Sequence, residues 1–506
     1  MSETITAPTL SEAGANGAVQ PILGGFFPDP TICRVGADYY LATSSFEYFP
    51  GAPIFHSRDL VTWTQIGNIL TTRDQFRLTT PGASTGIYGS TLRYHDGRFW
   101  FITTNVSDFE AGQVIVHATD PAGPWSEPVF VPEAVGIDPD LCWDDDGQCY
   151  LTWHLLDFVV GGQGIRQAPI DPATGRFLEP DYPIWQGSGM HAAEGPHLHR
   201  IGSYWYLLLA EGGTERGHCV TIARGPSPRG PFEAHPANPV FTHRSSSHPV
   251  QNVGHADLVP TTTGEWAAVY LGARTRGSTP GFHVLGRETF LAGIDWIDDW
   301  PVFVEDRFHI PQARTAFADD FSRTRLDARW VVADGEPDAL TLQTPNGLAF
   351  PRAGAGVGVE AGSLCTRVRD LAWRAEATVT TDGSLSLRLD DRHWCGVVLE
   401  NGRARGVVRI GDLLQEVGSA DVGADSAVLV LESVEPGSPP APFGHGGPDD
   451  LVLAVVINGE TVRIARLDGR YFSTEVASGF TGRMLAVGAV TPEGRIRSIS
   501  YVPSTA

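Results

Sequence analysis

Three acidic residues occupy nearly the same local setting: Asp29 in "FPDPTI", Asp138 in "GIDPDL" and Glu194 in "AAEGPH". Each is followed within two residues by a proline. Proline fixes its own φ and restricts the residue before it, so Pro30 is expected to hold Asp29 extended, and Pro139 to do the same for Asp138. Carboxyls held this stiffly suit acid–base work if the fold brings them together. Crowding pushes their pKa values apart, so that one stays ionised as a base while another keeps its proton as an acid. Glycosidic bond cleavage uses that division of labour.

A repeat supplies the elements that must position them. A turn with a glycine, followed by an aromatic-rich strand, occurs five times: "VGADYYLAT", "HDGRFWFIT", "DDGQCYLTW", "RIGSYWYLLL" and "TTGEWAAVYL". The glycines are Gly36, Gly97, Gly147, Gly202 and Gly264. A second marker runs in phase with them, an aromatic in a polar, turn-rich stretch: Trp63, Trp125, Phe177, Phe232 and Trp296. Short-strand units repeated at this period are the mark of propeller blades, so residues 20–310 are expected to form a five-bladed β-propeller. A β-sandwich with accidental spacing is the alternative.

In a propeller the innermost strands of all blades line one channel. Seven to nine residues before the successive marker glycines lie Asp29, then Tyr88 and Ser90, then Asp138 and Asp140, then Glu194, then His255 and Asp257. At least three blades therefore offer a carboxyl at one station. One or two such groups would serve blade-to-blade hydrogen bonding; more than that is a concentration of like charge tolerated mostly where it does chemistry.

After Pro311 the repeat stops. Alternating segments such as "WRAEATVT", "GSLSLRLD", "DLVLAVVING" and "VRIARLDG" predict an antiparallel β-sandwich, jelly-roll or concanavalin-like, over residues 311–506. The length of 506 residues agrees with two domains, and the 58 glycines and 37 prolines suit many turns. The net charge of −23 disfavours nucleic acid and leaves an uncharged sugar as an easy partner. Residues 1–19 lack the basic and apolar regions of a secretory signal and read as a disordered lead. No apolar run is long enough for a membrane helix, and the six scattered cysteines read as reduced thiols, so a cytoplasmic location is expected.

The blocks "PDPTICRVGADYYLATSSFEYFPG", "GIDPDLCWDDDG", "HAAEGPHLHRIGSYWYLLLAEGG", "QNVGHADLV" and "LGRETFL" resemble glycoside hydrolase family 43 over residues 20–310. The C-terminal half resembles the sandwich appended to the family's β-xylosidase and arabinofuranosidase branches. The resemblance implies an inverting mechanism with Asp29 as general base, Glu194 as general acid and Asp138 as the residue that tunes and orients Glu194. Asp138 is preferred to Asp140 because the family pattern carries the first Asp of the "IDP" block, and Asp144, Asp145 and Asp146 are assigned to a solvated turn. Arg287 matches the family's sugar-binding arginine, with an ordinary ion pair to Glu288 as the alternative. Phe46 and Tyr88 match the aromatic wall of the pocket, although relatives often carry Trp-Ala-Pro where this chain has Tyr88-Gly89-Ser90. His255 is expected near the axis, and Phe480 in "GFTGRML" at the pocket rim.

No cofactor is required by the resemblance, which leaves room for a structural Ca2+ or another cation on the axis, with His255 as its ligand. It implies exo-acting release of α-L-arabinofuranose from plant oligosaccharides. The alternatives are a β-D-xylosidase, a retaining five-bladed hydrolase such as a fructosidase, and a non-catalytic sugar-binding propeller. A homo-oligomer is compatible with the appended sandwich.

Overall fold

The computed structural model describes residues 19–156, 163–353, 362–380, 382–423, 426–436 and 446–504. The expected lead, up to residue 18, lies outside the described residues. The five marker glycines each sit in the turn between the first and second strands of a sheet, at φ of 61–87°. That region favours glycine, and a Cβ at any of the five would meet nothing, so the constraint is on the backbone alone.

Five antiparallel sheets follow one another. Blade 1 comprises Thr31–Val35, Asp38–Ala42, Gly51–Ser57 and Thr64–Leu70, and blade 2 Ile87–His95, Arg98–Asn105, Gln113–Ala118 and Val129–Val131. Blade 3 comprises Gly136–Trp143, Cys149–Leu155 and Ile165–Asp171, with short outer strands Arg176–Phe177 and Tyr182–Trp185. Blade 4 comprises Glu194–Ile201, Tyr204–Glu211, Cys219–Gly225 and Glu233–Ala234, and blade 5 Val250–Pro260, Trp266–Arg274, Glu288–Ile297 and Trp300–Val304. The first strand of each blade touches the first strand of the next, and that of blade 5 touches that of blade 1, which closes the ring of a five-bladed β-propeller. The apolar core is divided among the seams. Ile32 and Leu41 of blade 1 meet Val259 and Val269 of blade 5, for example, and Ile102 of blade 2 meets Leu151 of blade 3.

Residues after 316 build two packed antiparallel sheets, one of eight strands and one of six. Trp373–Thr380 alternates buried and half-buried along its whole length, the period of a strand with one face on a core. Leu385, Leu387, Val397 and Leu399 of one sheet meet Leu429, Leu453 and Ile499 of the other. The domain leans on the propeller through Val332–Ala333, which pairs with Tyr48–Phe49. Arg367 donates to the carbonyl of Phe26 at 2.6 Å, three residues before Asp29. The six cysteines are free thiols, five of them buried. Among the described residues, no helix is long and apolar enough to cross a membrane.

Candidate active site

The backbone that carries the site residues differs from the extended form expected next to proline. Asp29 has φ of 52° and Asp138 of 55°, and His255 follows at 47°. At Asp138 and His255 the reason is a bulge at the top of the innermost strand, whereas Asp29 stands two residues before its strand begins at Thr31. Register with the second strand slips between Ile137 and Asp140, between Glu194 and His197, and between Gly254 and Asp257. Bulges of this kind re-aim side chains beside active sites. The left-handed seat costs energy for most residues, and Asp and His are among the few types enriched there. In blade 4 the seat is taken by Gly195, at φ of 57°, so Glu194 stands one residue earlier than the carboxyls of blades 1 and 3.

The bulges of blades 3 and 4, with the segment leading into blade 1, bring Asp138, Glu194 and Asp29 into one electrostatic neighbourhood, with different outcomes. Burial pushes Glu194 up, the charge of Asp29 adds to this, and Arg287 opposes it, leaving the carboxyl at about 7. Asp138 is driven well above the usual carboxylate range by burial first, then by Glu194 and Asp29. Burial also opposes the charge on Asp29, but Arg287, followed by His255, outweighs it and holds Asp29 below the ordinary 3.8. Nη1 of Arg287 donates to Oδ1 of Asp29 at 3.0 Å and to Oγ1 of Thr214 at 2.8 Å. Glu288 is engaged elsewhere, with Arg274 at 2.7 Å, so the alternative pairing for Arg287 does not form. Asp138 accepts the N–H of Gly195 at 3.1 Å and so holds the backbone directly after Glu194. Asp138 and Glu194 are thus linked twice, by this hydrogen bond and by the charge of Glu194 that helps to raise Asp138.

Two glycines make the crowding feasible. A Cβ on Gly89 would stand 3.0 Å from Cγ of Asp138 and 3.0 Å from Cε1 of His255. One on Gly195 would stand 3.1 Å from the His255 ring. His255 Nδ1 lies 3.8 Å from Asp29, and burial lowers the ring to about 4, so it sits neutral against the carboxylate.

An aromatic wall completes the pocket, and the second domain supplies part of it. Phe46 stacks on Phe480 at 5.7 Å and meets Tyr88 at 4.9 Å, while Phe480 meets Tyr88 edge-on at 5.9 Å. Arg287 lies 5.7 Å from the Phe46 ring centre and 5.6 Å from that of Phe480. Ser84 is the joint: its Oγ accepts the N–H of Phe480 at 2.9 Å, its carbonyl accepts the Tyr88 hydroxyl at 2.9 Å, and its own N–H donates to Glu47 at 3.1 Å. The loop bearing Phe480 is tied back by the buried Arg483–Asp449 pair at 2.5 Å and by His283–Glu475 at 2.7 Å, the latter again joining propeller to sandwich. Ser84 and Glu47 carried no sequence signal, because their partners lie in another domain or strand.

Two residues beyond each bulge seat lies a second layer, and it explains why Asp140 and Asp257 differ from Asp138. Arg93, from the first strand of blade 2, donates to Asp140 at 2.8 Å and to Asp257 at 2.8 Å. Thr31 donates to Asp257 at 2.9 Å, and Asp140 accepts the N–H of Leu198 at 3.0 Å. All five blades are thereby stitched at the axis, and both acids are held ionised below the ordinary range against the pull of burial. Arg93 was missed in the sequence; its only mark was its place on the strand of Tyr88 and Ser90. The layer bears on the expected axial cation. Calcium takes six to eight oxygens, yet the two carboxylates on the axis are spent on Arg93. Among the described residues, His255 belongs to no group of three candidate ligand atoms. The residues present do not fit such an ion at His255.

The model of Glycosyl hydrolases family 43 matches residues 18–301. Over 295 residues the chain is 48% identical to a xylosidase/arabinosidase of Butyrivibrio fibrisolvens, a match covering 56% of each protein. Over 291 residues it is 44% identical to a non-reducing end alpha-L-arabinofuranosidase of Bacteroides ovatus, covering 56% of this chain and 53% of that one. The chain thus spans about half the length of the curated relatives it matches. Among solved structures, a xylan beta-1,4-xylosidase from Bacillus halodurans C-125 superposes with a TM-score of 0.83 at 27% identity, over 95% of this chain and 99% of that one. A family 43 protein of the Bacteroides ovatus xyloglucan PUL does so with a TM-score of 0.82 at 30% identity, over 95% and 98%. With the family model covering more than half its length and these neighbours sharing both domains, the chain belongs to family 43 of the glycosyl hydrolases.

Proposed function

We propose that the protein is an exo-acting, inverting α-L-arabinofuranosidase that removes non-reducing-end arabinofuranose from plant oligosaccharides. The observation that carries the reading is the split between two carboxyls in one pocket: Asp29 is held ionised by Arg287, while Glu194 is raised to about 7. Asp29 acts as the general base and takes a proton from the attacking water. Glu194 donates its proton to the departing glycosidic oxygen. Asp138 keeps Glu194 aimed through the Gly195 N–H. Tyr88 and Phe480, backed by the buried Phe46, offer an apolar face to the ring, and Arg287, hydrogen-bonded to Asp29, is placed to meet its hydroxyls. Phe480, reaching across from the sandwich to Phe46, supports a pocket that accepts a chain end.

A β-D-xylosidase is the second reading. The structural neighbour from Bacillus halodurans, alike over both domains, carries that activity in its name. The two sugars present similarly spaced hydroxyls, so one pocket can serve both. Proton NMR of the anomeric signals from time zero tests mechanism and substrate together, with p-nitrophenyl α-L-arabinofuranoside and β-D-xyloside as substrates. The inverted sugar appears first, the arabinofuranoside turns over faster, and Glu194→Ala is much slower on both. First release of the retained anomer would overturn the role of Asp29, and faster xyloside turnover would favour the second reading.

A further inference from the structure

The connection between blades 4 and 5 brings His243 and His248 beside Glu305, which follows the last strand of blade 5. One ligand atom from each lies within 4.8 Å of the others. Nδ1 of His243 is 2.8 Å from the carbonyl oxygen of Val250. A carbonyl only accepts, so Nδ1 carries the proton, and in the neutral ring Nε2 is left with a lone pair. That Nε2 faces Oε2 of Glu305 at 3.0 Å. The other carboxylate oxygen, Oε1, is already satisfied by the Tyr270 hydroxyl at 2.8 Å. Nε2 and Oε2 therefore need a proton or a metal cation between them.

A proton on Nε2 would make a simple His243–Glu305 ion pair, but it leaves out His248, whose ring packs on His243 at 3.8 Å between centres. A metal ion answers all three groups at once. His243 shows the arrangement common to metal-bound imidazoles, with one nitrogen donating to a carbonyl and the other presented outward. His243 is buried while His248 and Glu305 are half-buried, so the cluster has a backed side and an open side.

We infer that His243, His248 and Glu305 form a divalent transition-metal site. Two imidazoles and a carboxylate are the donor set that zinc accepts, with water in the remaining position. The ion would clasp the connection leading into blade 5 to the strand end that leads out of it. The side-chain hydrogen bonds of His243, His248 and Glu305 go to one another, to Val250 and to Tyr270 rather than to Asp29, Glu194 or Arg287, and the ion takes no part in the hydrolysis proposed above.

The test is zinc content of the full chain after equilibration with micromolar ZnCl2 and dialysis against metal-free buffer, beside the visible spectrum of the Co2+-loaded protein. Wild type retains one zinc per chain and shows tetrahedral cobalt bands. His248→Ala and Glu305→Gln lose both and keep wild-type hydrolysis of an aryl glycoside, which shows that they are folded. Zinc also raises the melting temperature of wild type and leaves that of the variants unchanged. Equal zinc uptake by wild type and both variants, or none by wild type, would overturn the site.

Discussion

Arg287 reaches Asp29 across 258 residues of chain, Nη1 to Oδ1 at 3.0 Å, and the same guanidinium also lowers Glu194 and Asp138. One cation thus sets the charge state of the whole carboxyl cluster. The base must be ionised and the acid protonated, so kcat/KM is expected to follow a bell. Its alkaline limb falls as pH rises through about 7, the Glu194 value, and its acid limb falls as pH drops through the depressed Asp29 value. In Arg287→Met both groups lose a charge that lowered them, so both limbs move toward higher pH. A pH–rate profile in which only one limb moves would show that Arg287 serves only one of them.

Glu194 matters in proportion to how badly the leaving oxygen needs a proton. Glu194→Gln is expected to lose about 10²–10⁴-fold in kcat/KM on an oligosaccharide. Its loss on a dinitrophenyl glycoside, whose leaving group departs unprotonated, should be far smaller. Equal losses on the two substrates would remove Glu194 from the acid role.

Ser84→Gly keeps a backbone that already lies at φ of 59° and deletes only the acceptor for the Phe480 N–H. A single hydrogen bond is worth roughly 1 kcal/mol, so KM should rise about fivefold with kcat little changed. Phe480→Ala should raise KM further, and the double variant should match Phe480→Ala alone. Additive effects would mean that Ser84 acts on something other than Phe480.

Arg93→Leu removes the countercharge of two fully buried carboxylates, Asp140 and Asp257. Breaking a buried ion pair in this way costs about 3–5 kcal/mol, so the denaturant midpoint of the propeller should fall steeply. The contribution of Asp140 and Asp257 in wild type is full above the unfolded carboxylate value near 3.8 and is lost as pH falls through their depressed folded values. Chemical denaturation at neutral pH measures the first effect. An unchanged midpoint would mean that water replaces the guanidinium without loss.

Much of the fold was legible because the propeller writes its period into turn chemistry. The five glycines mark positions where the backbone turns left-handed, and no side chain elsewhere has to cooperate. Asp29, Asp138 and Glu194 were legible for a related reason, since each stands seven to nine residues before one of those glycines. Their conformation was not. The neighbouring prolines argued for extended Asp29 and Asp138, yet both are left-handed; at Asp138 the bulge won, because register with the second strand is set by the whole sheet. Asp138 and Asp140 sit two residues apart on one strand, yet one faces the pocket and the other is bound by Arg93, a residue of another blade. Contacts of that kind, like Phe480 with Ser84, join residues whose local sequence says nothing of the partner.

The reach of Phe480 across 396 positions to Ser84 has an evolutionary consequence. A catalytic module that is complete in itself can be recombined freely with accessory domains, but under the proposed function this one has part of its sugar pocket encoded downstream, at Phe480. Exchange of the sandwich among relatives would alter sugar preference without touching a single acid, so specificity in such chains can drift through a domain that contains no chemistry.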